Sequence, residues 1–134
     1  MSSVFIFEYY RRNFSKMDLS YIKAKKLLEE KFGNICYICK KNYKFLEIEH
    51  LIPIACGGYE DRIENLNLIC TSCHKTKTKK DIKIINSMKL LGIIKKEGYR
   101  WYSFYNREEL NKFYLDFSEI IEYNFLKFKD WVNN

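Results

Sequence analysis

Four of the five cysteines fall into two Cys-x-x-Cys pairs, Cys36/Cys39 and Cys70/Cys73. Two thiolates on one tight knuckle share a metal ion at about 2.3 Å, and a second pair completes a tetrahedron. The spacing therefore predicts a structural zinc site. Four thiolates fill the shell and leave no position for water or substrate, so a metal held there does no chemistry. Its role is to staple the stretch between the pairs to the segment that opens at Cys73, which a small domain needs. Cys56, beside Gly57 and outside the pattern, reads as a small loop hydrophobe and not as a ligand. Knuckles of this kind with an odd cysteine count point to a reducing, intracellular compartment rather than to a disulfide framework.

A second set of reactive types lies between and just beyond the knuckles: Glu47, Glu49, His50, Asn65 and His74. Hydrolysing a phosphodiester needs a base to activate water, a cation to neutralise developing charge, and a fixed geometry. His50 is the candidate base, because imidazole titrates near working pH. Glu49 offers a hard oxygen ligand, and His74, one residue past Cys73, can face the same strand. Glu49 and His50 are adjacent, so on a strand they leave by opposite faces; both reach one site only if the strand ends there, as Pro53 suggests. Glu47 shares the face of Glu49 and either assists the cation indirectly or is solvated. Plainer readings stand beside these: a satisfied structural histidine for His50, a helix cap or phosphate donor for His74, and a loop-stitching amide for Asn65.

The elements that must position these groups can be sketched from periodicity. Residues 4–10 are apolar and fit a strand or a helix start. From Asp18 to Phe32 the apolar residues recur at helical spacing, with Asp18 or Ser20 to cap and Gly33-Asn34 to stop. The face with Leu27 and Leu28 should meet the core, leaving Lys23, Lys26 and Lys31 outside. Phe45 to His50 reads as a strand, Pro53 and Gly57-Gly58 as a loop, and Leu66 to Ile69 as a second strand. Thr71 can cap a helix running through Lys79, and a separate helix covers about 81–91. Ile93 to Lys96 and Tyr99 to Tyr105 form a hairpin through Glu97-Gly98. Asn106 caps a last helix whose apolar positions include Phe113, Phe117, Ile121, Phe125, Phe128 and Trp131.

Composition bounds the rest. The chain has 134 residues, a formal net charge of +7, 47% hydrophobic and 17% aromatic residues, and one proline. That excludes a disordered chain and leaves room for one small core with appendages. No apolar run is long enough to cross a bilayer and the N-terminus lacks the features of a signal peptide, so no membrane partner is expected. Residues 1–46 carry ten basic and four acidic side chains, 47–74 one and five, 75–100 nine and two. An acidic island between basic arms suits a cation held against a polyanion. Lys75, Lys77, Lys79 and Lys80 are candidate phosphate contacts, as is Arg62, whose other reading is an ion pair with Glu60, Asp61 or Glu64. On the hairpin, Tyr99, Arg100, Trp101 and Tyr102 either pack on a helix or stack on bases.

Glu49-His50, Pro53, Gly57-Gly58, Asn65 and Cys70-Thr71-Ser72-Cys73-His74, in that order, resemble the HNH endonuclease family over residues 36 to about 79. The resemblance implies an α+β protein with a small ββα-metal core, here stapled by the four-cysteine zinc site, and cleavage of DNA, double-stranded DNA first. It implies His50 as general base, Glu49 and His74 as ligands of a catalytic cation, and Asn65 as the residue that orients the His50 loop. The chain then divides into an N-terminal basic helical arm (1–33), the nuclease core (34–80) and a helix–hairpin–helix extension (81–134). The family more often has Asp where this chain has Glu49. Magnesium is the expected catalytic cation, with Mn2+, Ni2+ or Zn2+ compatible with a carboxylate–imidazole pair. The competing reading is a non-catalytic, zinc-stapled nucleic-acid-binding module. Oligomeric state is not legible.

Overall fold

The computed structural model describes the backbone of residues 5–8 and 14–133 and the side chains of residues 21–122. The elements run β1 (Phe5–Glu8), α1 (Phe14–Phe32), β2 (Glu47–His50), β3 (Leu66–Ile69), α2 (Thr71–Leu90), β4 (Lys95–Glu97), β5 (Arg100–Ser103) and α3 (Arg107–Asn133), with single 3-10 turns at Ile54–Cys56 and Ile63–Asn65. The protein is α+β, with two small antiparallel sheets and three helices among the described residues. No described helix is long and apolar enough to cross a membrane.

β2 and β3 pair antiparallel, Glu47 opposite Ile69 and His50 opposite Leu66. With α2 following directly, they form the ββα unit. Its core takes Leu28 from α1, Cys36 and Leu46 from the knuckle segment, and Leu66, Leu68, Ile69 and Cys70 from β3 and its end. A second core lies under the rest of the chain, where Ile84 and Met88 of α2 meet Ile94, Trp101 of β5, and Leu110 and Tyr114 of α3. Ala55 and Cys56 from the loop after β2 are buried there too, so that loop spans both cores.

Several expectations are corrected. α1 begins at Phe14, which puts Asp18 and Ser20 within the helix and not at its cap; their side chains lie outside the described residues, as do those of Phe125, Phe128 and Trp131. Leu28 is buried, but Leu27 is 47% exposed, facing a groove instead of the core. The two helices expected over 71–79 and 81–91 are one helix, α2. Asp81 has the composition of a helix start, but it is buried, paired with Lys77 one turn earlier and hydrogen-bonded by the Tyr114 hydroxyl at 2.7 Å. Nothing between Lys79 and Asp81 breaks the backbone ladder, so the helix continues, and residue 80, the expected edge of the core, falls inside it. The cap is Cys70 and not Thr71: the Cys70 sulfur accepts from the Cys73 N–H at 3.4 Å. The apolar N-terminal run is a strand, β1, pairing with β5 in a β1-β5-β4 sheet. The hairpin turns at Gly98-Tyr99, with Glu97 opposite Arg100 and Gly98 at φ +61. Trp101 is buried and packs, whereas Tyr99 is 82% exposed. Asn106 does cap α3, its Oδ1 accepting from the Glu109 N–H at 2.8 Å while Glu109 reaches back to the Asn106 N–H.

The Gly pair fixes the loop over the site. A Cβ on Gly58 would stand 1.9 Å from the Ile52 carbonyl oxygen, a contact that only a backbone shift relieves. Gly58→Ala should therefore cost on the order of 3 kcal/mol as an overpacked buried position. Thermal denaturation checks this; a melting temperature within about 2 °C of wild type would contradict it.

Candidate active site and metal centre

The first knuckle is built by a tight turn in which the Lys40 N–H donates to the Cys36 carbonyl at 2.9 Å, with Lys40 itself left-handed at φ +63. The Tyr37 N–H donates to the Leu68 carbonyl at 2.9 Å and docks the knuckle on β3. The second knuckle is the end of β3 and the first turn of α2. Together they bring the sulfurs of Cys36, Cys39, Cys70 and Cys73 within 4.8 Å of one another. A tetrahedral tetrathiolate zinc needs sulfurs about 3.8 Å apart, so the four residues fit a metal ion, consistent with zinc. The site favours thiolate at two positions. A hydrogen bond from Tyr43, then the Lys41 backbone, brings Cys39 down to about 6, and the Cys73 N–H lowers Cys70. Burial, then the neighbouring thiols, pushes Cys73 up to about 12. Four clustered sulfurs repel a fully ionised state unless a cation sits among them, which is what a metal supplies. Cys56 lies in the other core, pushed up to about 12 chiefly by burial, and is no ligand in this cluster.

Along β2 the side chains alternate. Glu47 and Glu49 face α2, and both reach His74 in its first turn: Glu47 Oε2 contacts His74 Nδ1, and Glu49 Oε2 lies 2.5 Å from His74 Nε2. If Nδ1 carries the proton it donates to Glu47, and Nε2 then turns a lone pair toward a carboxylate oxygen. A nitrogen and an oxygen at that distance share a proton; two ligands of one small cation, each about 2.1 Å from it, stand about 3 Å apart, so the pair would open slightly to admit a metal. Glu49 and His74 are a carboxylate and an imidazole of the donor types that divalent cations take, with Glu47 on the other ring nitrogen.

His50 leaves β2 by the other side, lining a groove of about 240 Å³ with Tyr21, Leu27, Ile48 and Ile63. Its Nε2 lies 2.9 Å from the Glu60 carbonyl. A carbonyl only accepts, so Nε2 carries a proton, which in the neutral ring leaves the lone pair on Nδ1. Asn65 is buried and stitches the intervening loop: its Oδ1 accepts from the Ile52 N–H at 2.9 Å, and its Nδ2 donates to the carbonyls of Ile52 at 2.9 Å and Tyr59 at 2.8 Å.

The basic residues divide. Lys75 and Lys79 are exposed one turn apart on α2. Lys80 is paired with Glu122 of α3. Arg62 stacks over Tyr59 with its guanidinium carbon 3.9 Å from the ring centre, and Arg107 lies over the same ring at 4.0 Å while donating to the Gly57 carbonyl at 2.9 Å. Lys77 departs from the sequence expectation. It is 8% exposed, and its ammonium is spent on Glu49, the His50 carbonyl and Asp81, so it is not a phosphate contact. The sequence singles out Lys77 only as a phosphate contact, and Asp81 not at all. Their spacing of four residues on a helix was the one available signal.

A zinc-compatible four-cysteine staple holding a ββα unit, with carboxylate and histidine side chains converging between strand and helix, defines the structural class. Residues 36–80 match the HNH endonuclease family model. Over 54 residues, 40% of this chain, the sequence is 32% identical to the mouse (Mus musculus) DNA annealing helicase and endonuclease ZRANB3. The chain spans about 5% of the length of that relative. No solved structure matches.

Proposed function

We propose that this chain is a metal-dependent endonuclease that hydrolyses phosphodiester bonds in DNA, by cutting or nicking, with double-stranded DNA as its substrate. The observation that carries the reading is the convergence of Glu49 Oε2 on His74 Nε2 at 2.5 Å, at the inner end of a segment that matches the HNH endonuclease model. His50 is the general base. With Nε2–H donated to Glu60, Nδ1 accepts the proton of the attacking water. Glu49 and His74 hold the catalytic cation, and Glu47 keeps the His74 ring in the ligating tautomer. When bound there, the cation supplies charge neutralisation at the phosphate and the leaving oxygen. Asn65 keeps the loop carrying the Tyr59 and Glu60 carbonyls in register with β2. Lys75 and Lys79 contact flanking phosphates, with Lys80 and the stacked Arg62 at the margins. Mg2+ is the proposed cation, completed by water and phosphate oxygens, while the imidazole ligand also admits Mn2+, Ni2+ or Zn2+.

Supercoiled plasmid incubated with the zinc-loaded protein tests this. Nicked or linear product is expected with added Mg2+ or Mn2+ and none without. Glu49→Ala should lower the rate about 100-fold by weakening the cation. Cleavage that persists after every ion except the four-cysteine zinc has been chelated away, or a Glu49→Ala protein at the wild-type rate, would refute the metal assignment. DNA binding with no cleavage under any cation would leave the zinc-stapled binding module as the reading.

A further inference from the structure

We propose that Lys77 is a positioning residue that restricts Glu49 to a single oxygen toward the catalytic cation, and so keeps the site selective for small octahedral cations over calcium. The inference rests on the reading of Glu49 as a cation ligand. The Lys77 ammonium donates to Glu49 Oε1 at 3.1 Å, to the His50 carbonyl at 2.9 Å and to Asp81 Oδ2 at 2.6 Å. An ammonium has three N–H donors, and all three are used. Lys77 and Asp81 are both buried, and Asp81 Oδ1 takes a further hydrogen bond from the Tyr114 hydroxyl at 2.7 Å. A buried ammonium is tolerated only when paired, so it has no low-cost alternative position.

The two oxygens of Glu49 are thus divided. Oε2 faces His74 and Oε1 belongs to Lys77. A two-oxygen grip on a cation would pull Oε1 away and strand the ammonium between Asp81 and a carbonyl. Calcium takes six to eight oxygens and commonly uses both oxygens of a carboxylate, whereas magnesium, and manganese in octahedral oxygen sites, hold six ligands. A carboxylate held to one oxygen favours the second group and keeps positions open for water and phosphate. The hydrogen bond to the His50 carbonyl ties the backbone of the proposed base to the same ammonium. The brace continues through Asp81 to Tyr114 on α3, beyond the segment matched to the family model.

The test is the ratio of Ca2+ to Mn2+ affinity, measured by titration calorimetry on intact, zinc-loaded wild-type, Lys77→Met and Lys77→Gln proteins. Removing a positive charge strengthens binding of both ions, and the ratio cancels that effect. Lys77→Met should shift the ratio toward calcium by about tenfold, the size expected when a group that orients a metal ligand is lost. Plasmid cleavage should slow in parallel, and Lys77→Gln, which keeps a donor, should shift the ratio less. A lysine that only tied α2 to β2 would lower the melting temperature and leave the ratio unchanged; that result in a folded variant overturns the proposal. Should both variants fail to fold, a Mn2+-loaded crystal structure of the wild type decides. Oε1 still on Lys77 supports the proposal, and both oxygens on the metal overturn it. Glu49→Ala separates the two readings. If it leaves Mn2+ binding intact, both fall; if it abolishes binding while the Lys77 variants keep the wild-type ratio, only the role of Lys77 falls.

Discussion

His50→Ala should reduce plasmid cleavage by about 10²–10⁴-fold, the range for loss of a positioned general base, while zinc content and melting temperature stay near wild type. The separation follows from placement. His50 ends β2 opposite Leu66, whereas Glu47, at the other end of the strand, pairs with Ile69 beside the second knuckle. The ring makes a hydrogen bond to a loop carbonyl and lines a groove, so its removal empties no core position. Only the route for the water's proton is lost. Wild-type cleavage by the variant would exclude His50 as the base. Loss of zinc or of cooperative unfolding would mean that the ring has a structural role in the loop.

Cys36→Ser or Cys70→Ser should unfold the ββα unit or leave it molten, with zinc falling well below one per chain. Structural zinc in small domains contributes an apparent 10–16 kcal/mol, roughly, comparable with the whole stability of a small domain at about 5–15 kcal/mol. Cys36 and Cys70 are also buried members of the core that holds Leu28, Leu68 and Ile69, and Cys70 caps α2. One substitution therefore removes a ligand, a core contact and, for Cys70, a helix cap. Elemental analysis and far-ultraviolet circular dichroism check the outcome. Cys56→Ser is the control and should retain zinc, because its sulfur sits in the other core. A Cys70→Ser protein with full zinc and native melting would show that the sulfurs do not form the staple.

What the sequence made legible was what is local. The knuckles, β3, the Asn106 cap and the loop forced by Pro53 and Gly57-Gly58 are each written in a few neighbouring residues. Chemistry-bearing types clustered within the knuckle interval, so Glu49, His50, Asn65 and His74 could be picked out before their geometry was known. The illegible features depend on partners distant in the chain. Asp81 resembles a helix start until Tyr114, on another helix, is placed against it. Lys77 sits in a lysine run and resembles its neighbours, and only the pairing of β2 against α2 turns it inward. Residues 4–10 fit strand or helix equally, and the choice was made by the free edge of β5.

The way α2 runs through residue 80, with β1 laid along β5, has a consequence for how such a unit can be exchanged between proteins. A segment cut at the limits of the family match, 36–80, would carry Lys77 without Asp81 and the first half of a helix without the half that holds Ile84 and Met88. It would also lose α1, which supplies Leu28 to the core around the knuckles. The matched stretch is thus an interior piece whose buried contacts come from the chain on both sides of it. A host into which it was transplanted would have to furnish a carboxylate one turn beyond Lys77, an apolar cover for β3, and a phenol or its equivalent to keep that carboxylate in place.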